Sequence, residues 1–235
     1  NAQRTLTLKS GTLLPNLTSL LKTSSGTADL GDASVSGLTT FTLSSGTLTG
    51  TGNLALASGG THSWTAGILS GAGSLTVASG ATLAISTAGN KSLNRPLVNN
   101  GLVTFGDDPL PGTGSIQNNG LFHILTDFSI TPSFTNAAAA ILDKTGGAGT
   151  ATISGAFSND GLVNVSSGTL SAGGTFTQSG ALNVESGATF QKTGGFTNTG
   201  TITGSGTVNV VAGNTLTNNG TIAPGGAGAA GILNV

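Results

Sequence analysis

Seven rows of this sequence can be laid under one another with the same residue types recurring in the same columns. The rows open at Leu97, Ile116, Phe134, Phe157, Phe176, Phe196 and Leu216, at spacings of 19, 18, 23, 19, 20 and 20 residues. No other feature constrains the fold as strongly. A unit of about 20 residues cannot bury its own apolar side, so each row must be covered by its neighbours.

The columns carry physical meaning. The first is large and apolar throughout. The third reads Asn99, Asn118, Asn136, Asn159, Gln178, Asn198 and Asn218, and the fifth is Gly101, Gly120, Ala138, Gly161, Gly180, Gly200 and Gly220. The seventh is apolar again (Val103, Phe122, Ala140, Val163, Leu182, Ile202, Ile222), as is most of the ninth (Phe105, Ile124, Leu142, Val165, Val184). Apolar residues at seven and nine around a small or polar residue at eight form the period-2 pattern of a strand with one buried face. The Asn-x-Gly before it reads as a corner, with Gly expected to supply a positive φ.

Rows stacked as parallel strands ~4.8 Å apart place like residues over like. Phe157, Phe176, Phe196 and Leu216 then form an internal ladder. Asn159, Asn198 and Asn218 form a second one, amide bonded to amide. The fold expected is all-β: a parallel β-helix (β-solenoid), right-handed, with about 12 coils of ~20 residues and a length of ~55 Å. Leucine-rich repeats share the period but not the Leu-x-x-Leu-x-Leu pattern, and the six-residue period of a hexapeptide solenoid is missing. The first half follows the same rule more loosely: GTLTGTGNLALASGGTHSW from Gly46 matches GILSGAGSLTVASGATLAI from Gly67 at an offset of 21. We expect one solenoid domain over residues 1–235, with irregular first coils or a cap over 1–35, diverged coils over 36–96 and regular Asn-x-Gly coils over 97–235. Leu13 to Lys22 is the least repetitive stretch, either an irregular coil or a short capping helix.

Composition removes several functions. With 7 Lys+Arg in 235 residues, no cationic patch of the kind that neutralises nucleic-acid phosphates is expected. There is no Cys, so disulfides and thiolate-held metals are excluded. No apolar run approaches the ~18 residues of a membrane span, so no membrane insertion is expected. Low charge, no Cys and abundant Ser, Thr and Asn suit a protein outside a bacterial cell.

The strings GSLTVASGATLAI, GALNVESGATF and NNGTIAPGGAGAAGILNV resemble the repeats of autotransporter passengers and filamentous-haemagglutinin-like surface proteins of Gram-negative bacteria. The turn Pro224-Gly225-Gly226, followed by Gly231-Ile232-Leu233-Asn234-Val235, is similar to a proline-glycine rung that recurs in those passengers. The resemblance covers most of residues 36–235 and lies in repeat style. It implies secretion or display at the cell surface, a right-handed β-helix and an adhesive or stalk role.

β-Helices also carry polysaccharide lyases and hydrolases, so carboxylates sharing one side of the coil need attention. Asp108 and Asp127 fall in column twelve of adjacent rows; Asp107 precedes the first, and Asp143 lies two columns away in the third row. Such a group is a candidate for acid/base catalysis or for Ca²⁺, and Arg95, Lys144 and His123 come from the same region. The plainer reading is that Asp107-Asp108-Pro109 opens a loop; on it there is no catalysis and no cofactor. His62 and Trp64, in THSW, form a candidate sugar-binding platform, set against the plainer reading of a partly buried corner. His123, in column eight, is expected to point outward. Asn16-Leu17-Thr18 and Asn219-Gly220-Thr221 match glycosylation sequons and are read as incidental.

The expected function is therefore a non-catalytic extracellular element, a stalk segment or a filament subunit. Its partners are neighbouring coils of a longer chain, further copies of itself stacked end to end on unpaired terminal rungs, or surface glycans and other host or abiotic surfaces. The loop side at Asp107–Thr113 and the Thr61–Trp64 corner are the expected contact surface.

Overall fold

The computed structural model describes residues 6–7 (backbone only), 17–86 and 89–225. Among these there is no helix, and the chain winds as a parallel β-solenoid of about 10 turns of roughly 20 residues. The turn count falls slightly below the expected 12. Of the Leu13–Lys22 stretch, Ser19–Lys22 is a strand, and residues 13–16 lie outside the described residues, as does the Gly231–Val235 string.

Each regular turn contributes three short strands, and every strand pairing is parallel. The first ladder runs through Pro96–Asn99, Ser115–Asn118, Ser133–Asn136, Phe157–Asn159 and Phe176–Gln178. The second follows two or more residues later in each turn, through Leu102–Phe105, Leu121–Ile124, Ile141–Lys144, Leu162–Val165 and Ala181–Val184. Two long strands, Val35–Leu43 and Leu54–Trp64, round the corner without a break and serve both ladders. The third ladder closes each turn. It is interrupted once, between Lys91–Asn94 and Ser129–Ile130, where the Asp107–Gly112 loop replaces a strand and only Leu110 bridges to Ile130.

The interior is the set of columns read from the sequence. Phe134, Phe157 and Phe176 are paired in register with ring centroids 5.7 and 5.1 Å apart, and Phe196 lies 5.2 Å beyond Phe176. Offset and edge-on aromatic contacts of this kind add to the burial free energy of each ring. From Asn99 to Gln178 the amide column is a continuous hydrogen-bonded file. Asn99 Nδ2 donates to Asn118 Oδ1 at 2.8 Å, Asn118 to Asn136 at 2.8 Å, Asn136 to Asn159 at 2.8 Å and Asn159 to Gln178 Oε1 at 2.9 Å. The second amide hydrogen of each Asn goes to a backbone carbonyl of the next turn, as from Asn99 to Leu121 at 2.9 Å. These amides are buried at no net loss because every donor has a partner.

Two details of the expected columns change. The row from Phe134 carries two extra residues at its corner. Ala139 sits there with φ of +67°, and Leu142, not Ala140, packs between Phe122 and Val163. Everything after the corner shifts by two: Lys144 stands in the apolar ninth column between Ile124 and Val165, and Asp143 stands in the outward eighth beside His123. The corner glycines are also needed for a different reason than expected. Gly101, Gly120, Gly161, Gly180, Gly200 and Gly220 are absent from the positive-φ residues. Instead, consecutive corners press backbone on backbone, and a Cβ on Gly200 would collide with the Gly180 carbonyl oxygen.

Candidate functional site

The residues singled out from sequence do not assemble into one centre. Asp127 is bound to Lys144, whose Nζ donates to Oδ1 at 3.0 Å, while the Gly149 N–H donates to Oδ2 at 2.9 Å. These hydrogen bonds, the one from Lys144 first, hold the Asp127 carboxyl below the usual carboxylate range and keep it ionised. It is thus unlike a general acid, whose pKa must be raised. Asp143 is four columns from Asp127 in strand register rather than two. It points outward from the second ladder, with its Oδ2 3.7 Å from Nδ1 of His123 on the adjacent turn. His123 points outward as expected.

Asp107 and Asp108 both adopt positive φ, +57° and +60°, which L-residues tolerate when Asp side chains bond locally. They open the loop that interrupts the third ladder. Their charges act on buried Lys91, whose pKa desolvation lowers while Asp108 and Asp107 oppose the shift. Asp127 is thus matched with Lys144, Asp143 with His123, and Asp107 and Asp108 together with Lys91. Among the described residues no three His, Cys, Asp or Glu side chains group as they would to hold a metal ion.

His62 and Trp64 face inward. His62 lies in the interior column between Phe41 and Leu83, and Trp64 lies between Leu43 and Ile85. Trp64 is fully buried, its indole N–H donating to the Gly67 carbonyl at 3.1 Å. His62 Nε2 is 2.9 Å from the Ala57 carbonyl oxygen. Neither ring offers a face to a sugar. An open groove of about 430 Å³ lies elsewhere, lined by Asp29, Gly31, Asp32, Thr49, Gly50, Thr51 and Gly71.

Sequence reasoning missed where the cations go. All of the described ones (Lys22, Lys91, Arg95, Lys144 and Lys192) are buried, and their head groups bond backbone carbonyls that the corners leave open. Lys22 Nζ donates to the Ser24 and Ser45 carbonyls, Lys91 to Gly89 at 3.1 Å, and Lys144 to Gly146 and to Gly147 at 3.2 Å. Arg95 reaches back across two turns. Its Nε donates to the Gly73 carbonyl at 2.6 Å and one Nη to the Gly52 carbonyl at 2.9 Å. Burial lowers the pKa of the guanidinium to about 10. The signal was present in the sequence. Lys22, Lys144 and Lys192 each sit two residues after an inward-facing position, so strand alternation points them inside.

No protein family, curated protein or solved structure matches the chain. Its assignment as a β-solenoid rests on its own strand register.

Proposed function

We propose that this chain is a rod-forming, non-catalytic element of an extracellular stalk or filament, displayed or secreted as are the surface proteins its repeats resemble. The observation that carries the reading is the in-register stacking of successive turns. Apolar, amide and backbone ladders run from turn to turn along one axis, so each turn is braced by the next and local opening must break several ladders together. About 10 turns at ~4.8 Å each give a stiff element roughly 48 Å long. Turning the cations inward leaves an outer surface of mostly uncharged Ser, Thr and Asn, suited to a spacer that must not stick to polyanions.

The rival reading, a carbohydrate-active enzyme using Asp108, Asp127 and Asp143, draws no support from the spread of those carboxylates. A glycan-binding role for Trp64 is opposed by its burial. Negative-stain microscopy of the purified protein should show rods of uniform width that resist proteolysis, and incubation with acidic polysaccharides should release no unsaturated or reducing ends. Release of such ends, abolished by Asp127→Ala, would replace this reading with the enzymatic one.

A further inference from the structure

The outer face of the second ladder carries a short apolar stripe beside a polar one. Leu102, Leu121, Ile141 and Leu162 are stacked in register on successive turns, and Thr104, His123, Asp143 and Asn164 are stacked two residues along the same strands. All eight alternate with buried residues and are partly exposed. An aliphatic column on the outside of a sheet that already has a filled interior contributes nothing to that interior. It is unpartnered in the single chain.

The arrangement has a centre. Midway between the turns of Leu121 and Ile141, the apolar stripe divides into Leu102 and Leu121 on one side and Ile141 and Leu162 on the other. The same midpoint separates His123 from Asp143. A two-fold axis through this point, parallel to the strands, turns the rod end for end and faces the sheet with a copy of itself. Leu121 then lies over the partner's Ile141, Leu102 over the partner's Leu162, and His123 over the partner's Asp143. Such a patch is self-complementary, as an isologous interface requires. Within one chain His123 and Asp143 are 3.7 Å apart, too far for a good hydrogen bond, so both keep bonding capacity for a partner.

The geometry points to lateral, antiparallel pairing of two copies of this chain through the outer face of the second ladder. The four turns of the stripe, on a face about four residues wide, amount to roughly 250 Å² on each rod at sheet spacings. That is about a third of the ~800 Å² a side of a standard stable complex, so the pair is weak and forms at high concentration. End-to-end stacking, by contrast, leaves this face uncovered.

Sedimentation velocity over a wide concentration range tests the pairing. The unmodified chain should move from monomer to dimer as concentration rises. His123→Asp sets like charges across the axis and should weaken association by about tenfold or more; Asp143→Lys should do the same. Mixing the two variants sets the introduced carboxylate against the introduced ammonium at one contact and keeps His123 over Asp143 at the other, and the mixture should dimerise where neither does alone. Sedimentation of the unmodified chain that is independent of concentration would overturn the proposal. So would association untouched by the two substitutions, which is what end-to-end stacking predicts, or singly impaired variants that fail to rescue each other.

Discussion

The amide file has one fault, and it makes a quantitative prediction. From Asn99 to Asn159 each amide donates to the next turn, but Gln178 is one methylene longer. Its Nε2 folds back to the Gly180 carbonyl at 2.9 Å. Asn198, next in the column, is left with Oδ1 buried and unpartnered, although its own Nδ2 continues the file to Asn218 Oδ1 at 2.7 Å. Gln178→Asn should restore the geometry of the intact turns. The amide would accept from Asn159 and donate to Asn198 across a spacing that elsewhere gives bonds of 2.8 Å. Satisfying a buried acceptor gains ~1–3 kcal/mol, and deleting one buried methylene costs about 0.8 kcal/mol. The net expectation is a gain of about 1 kcal/mol, equivalent to roughly 2–4 °C in the melting temperature of a chain this size. Solenoids can unfold in segments, so amide hydrogen exchange across Phe176–Thr201 should accompany the melt. Slower exchange there, with a raised melting temperature, is the expected result. An unchanged or lowered melting temperature with unchanged local exchange would refute the claim that the amide file is continuous by hydrogen bonding and faulted at Gln178.

Gly200→Ala, which drives a Cβ into the Gly180 carbonyl, should destabilise by about 3 kcal/mol. Gly213→Ala has open space but a φ of +86° and should cost about 1 kcal/mol; urea midpoints rank the two. Lys144→Ala removes a buried chain from the ninth column and leaves carbonyls unpaired, for a loss of about 3 kcal/mol, whereas Lys144→Met keeps the volume and should lose about 1 kcal/mol. Because the folded state depresses the Asp127 pKa, its pairing with Lys144 contributes fully above the unfolded value of ~3.9. That contribution fades as the pH falls through the lower folded value. Asp127→Asn should therefore flatten the acid limb of stability against pH, measured as urea midpoints between neutrality and strong acid.

Much of the fold is legible in the sequence because the interior of a solenoid is written once per turn. Phe134, Phe157, Phe176 and Phe196 cannot all be buried at such spacing unless the turns stack, and Asn in a buried column demands a partner of its own kind. The misread column arises where the letters carry no information. Ala137, Ala138, Ala139 and Ala140 are identical, so the position of the two extra residues is invisible until Leu142 is seen to fill the gap between Phe122 and Val163. The buried cations escape a reading that sends every Lys and Arg to solvent, although strand parity places Lys144 inside. The loop that interrupts the third ladder is legible in Asp107-Asp108-Pro109, which reads as a loop opener, whereas the loss of a whole strand there is not. The candidate site was the least legible. Column positions predicted Asp127 and Asp143 as near neighbours, but the two-residue corner insertion moved Asp143 to the outer face.

Distances between nitroxide labels on one outward column test the stacking most directly, and a chain free of Cys accepts paired cysteine substitutions cleanly. Val98, Gln117, Thr135, Ser158 and Thr177 are in register on successive turns. Labels at Val98 and Thr177 should lie ~19 Å apart, and labels at Val98 and Thr217 ~29 Å apart, in equal increments of ~4.8 Å per turn. Separations that do not grow evenly with the number of turns, or that shrink for the more distant pair, would contradict the stacked-turn account.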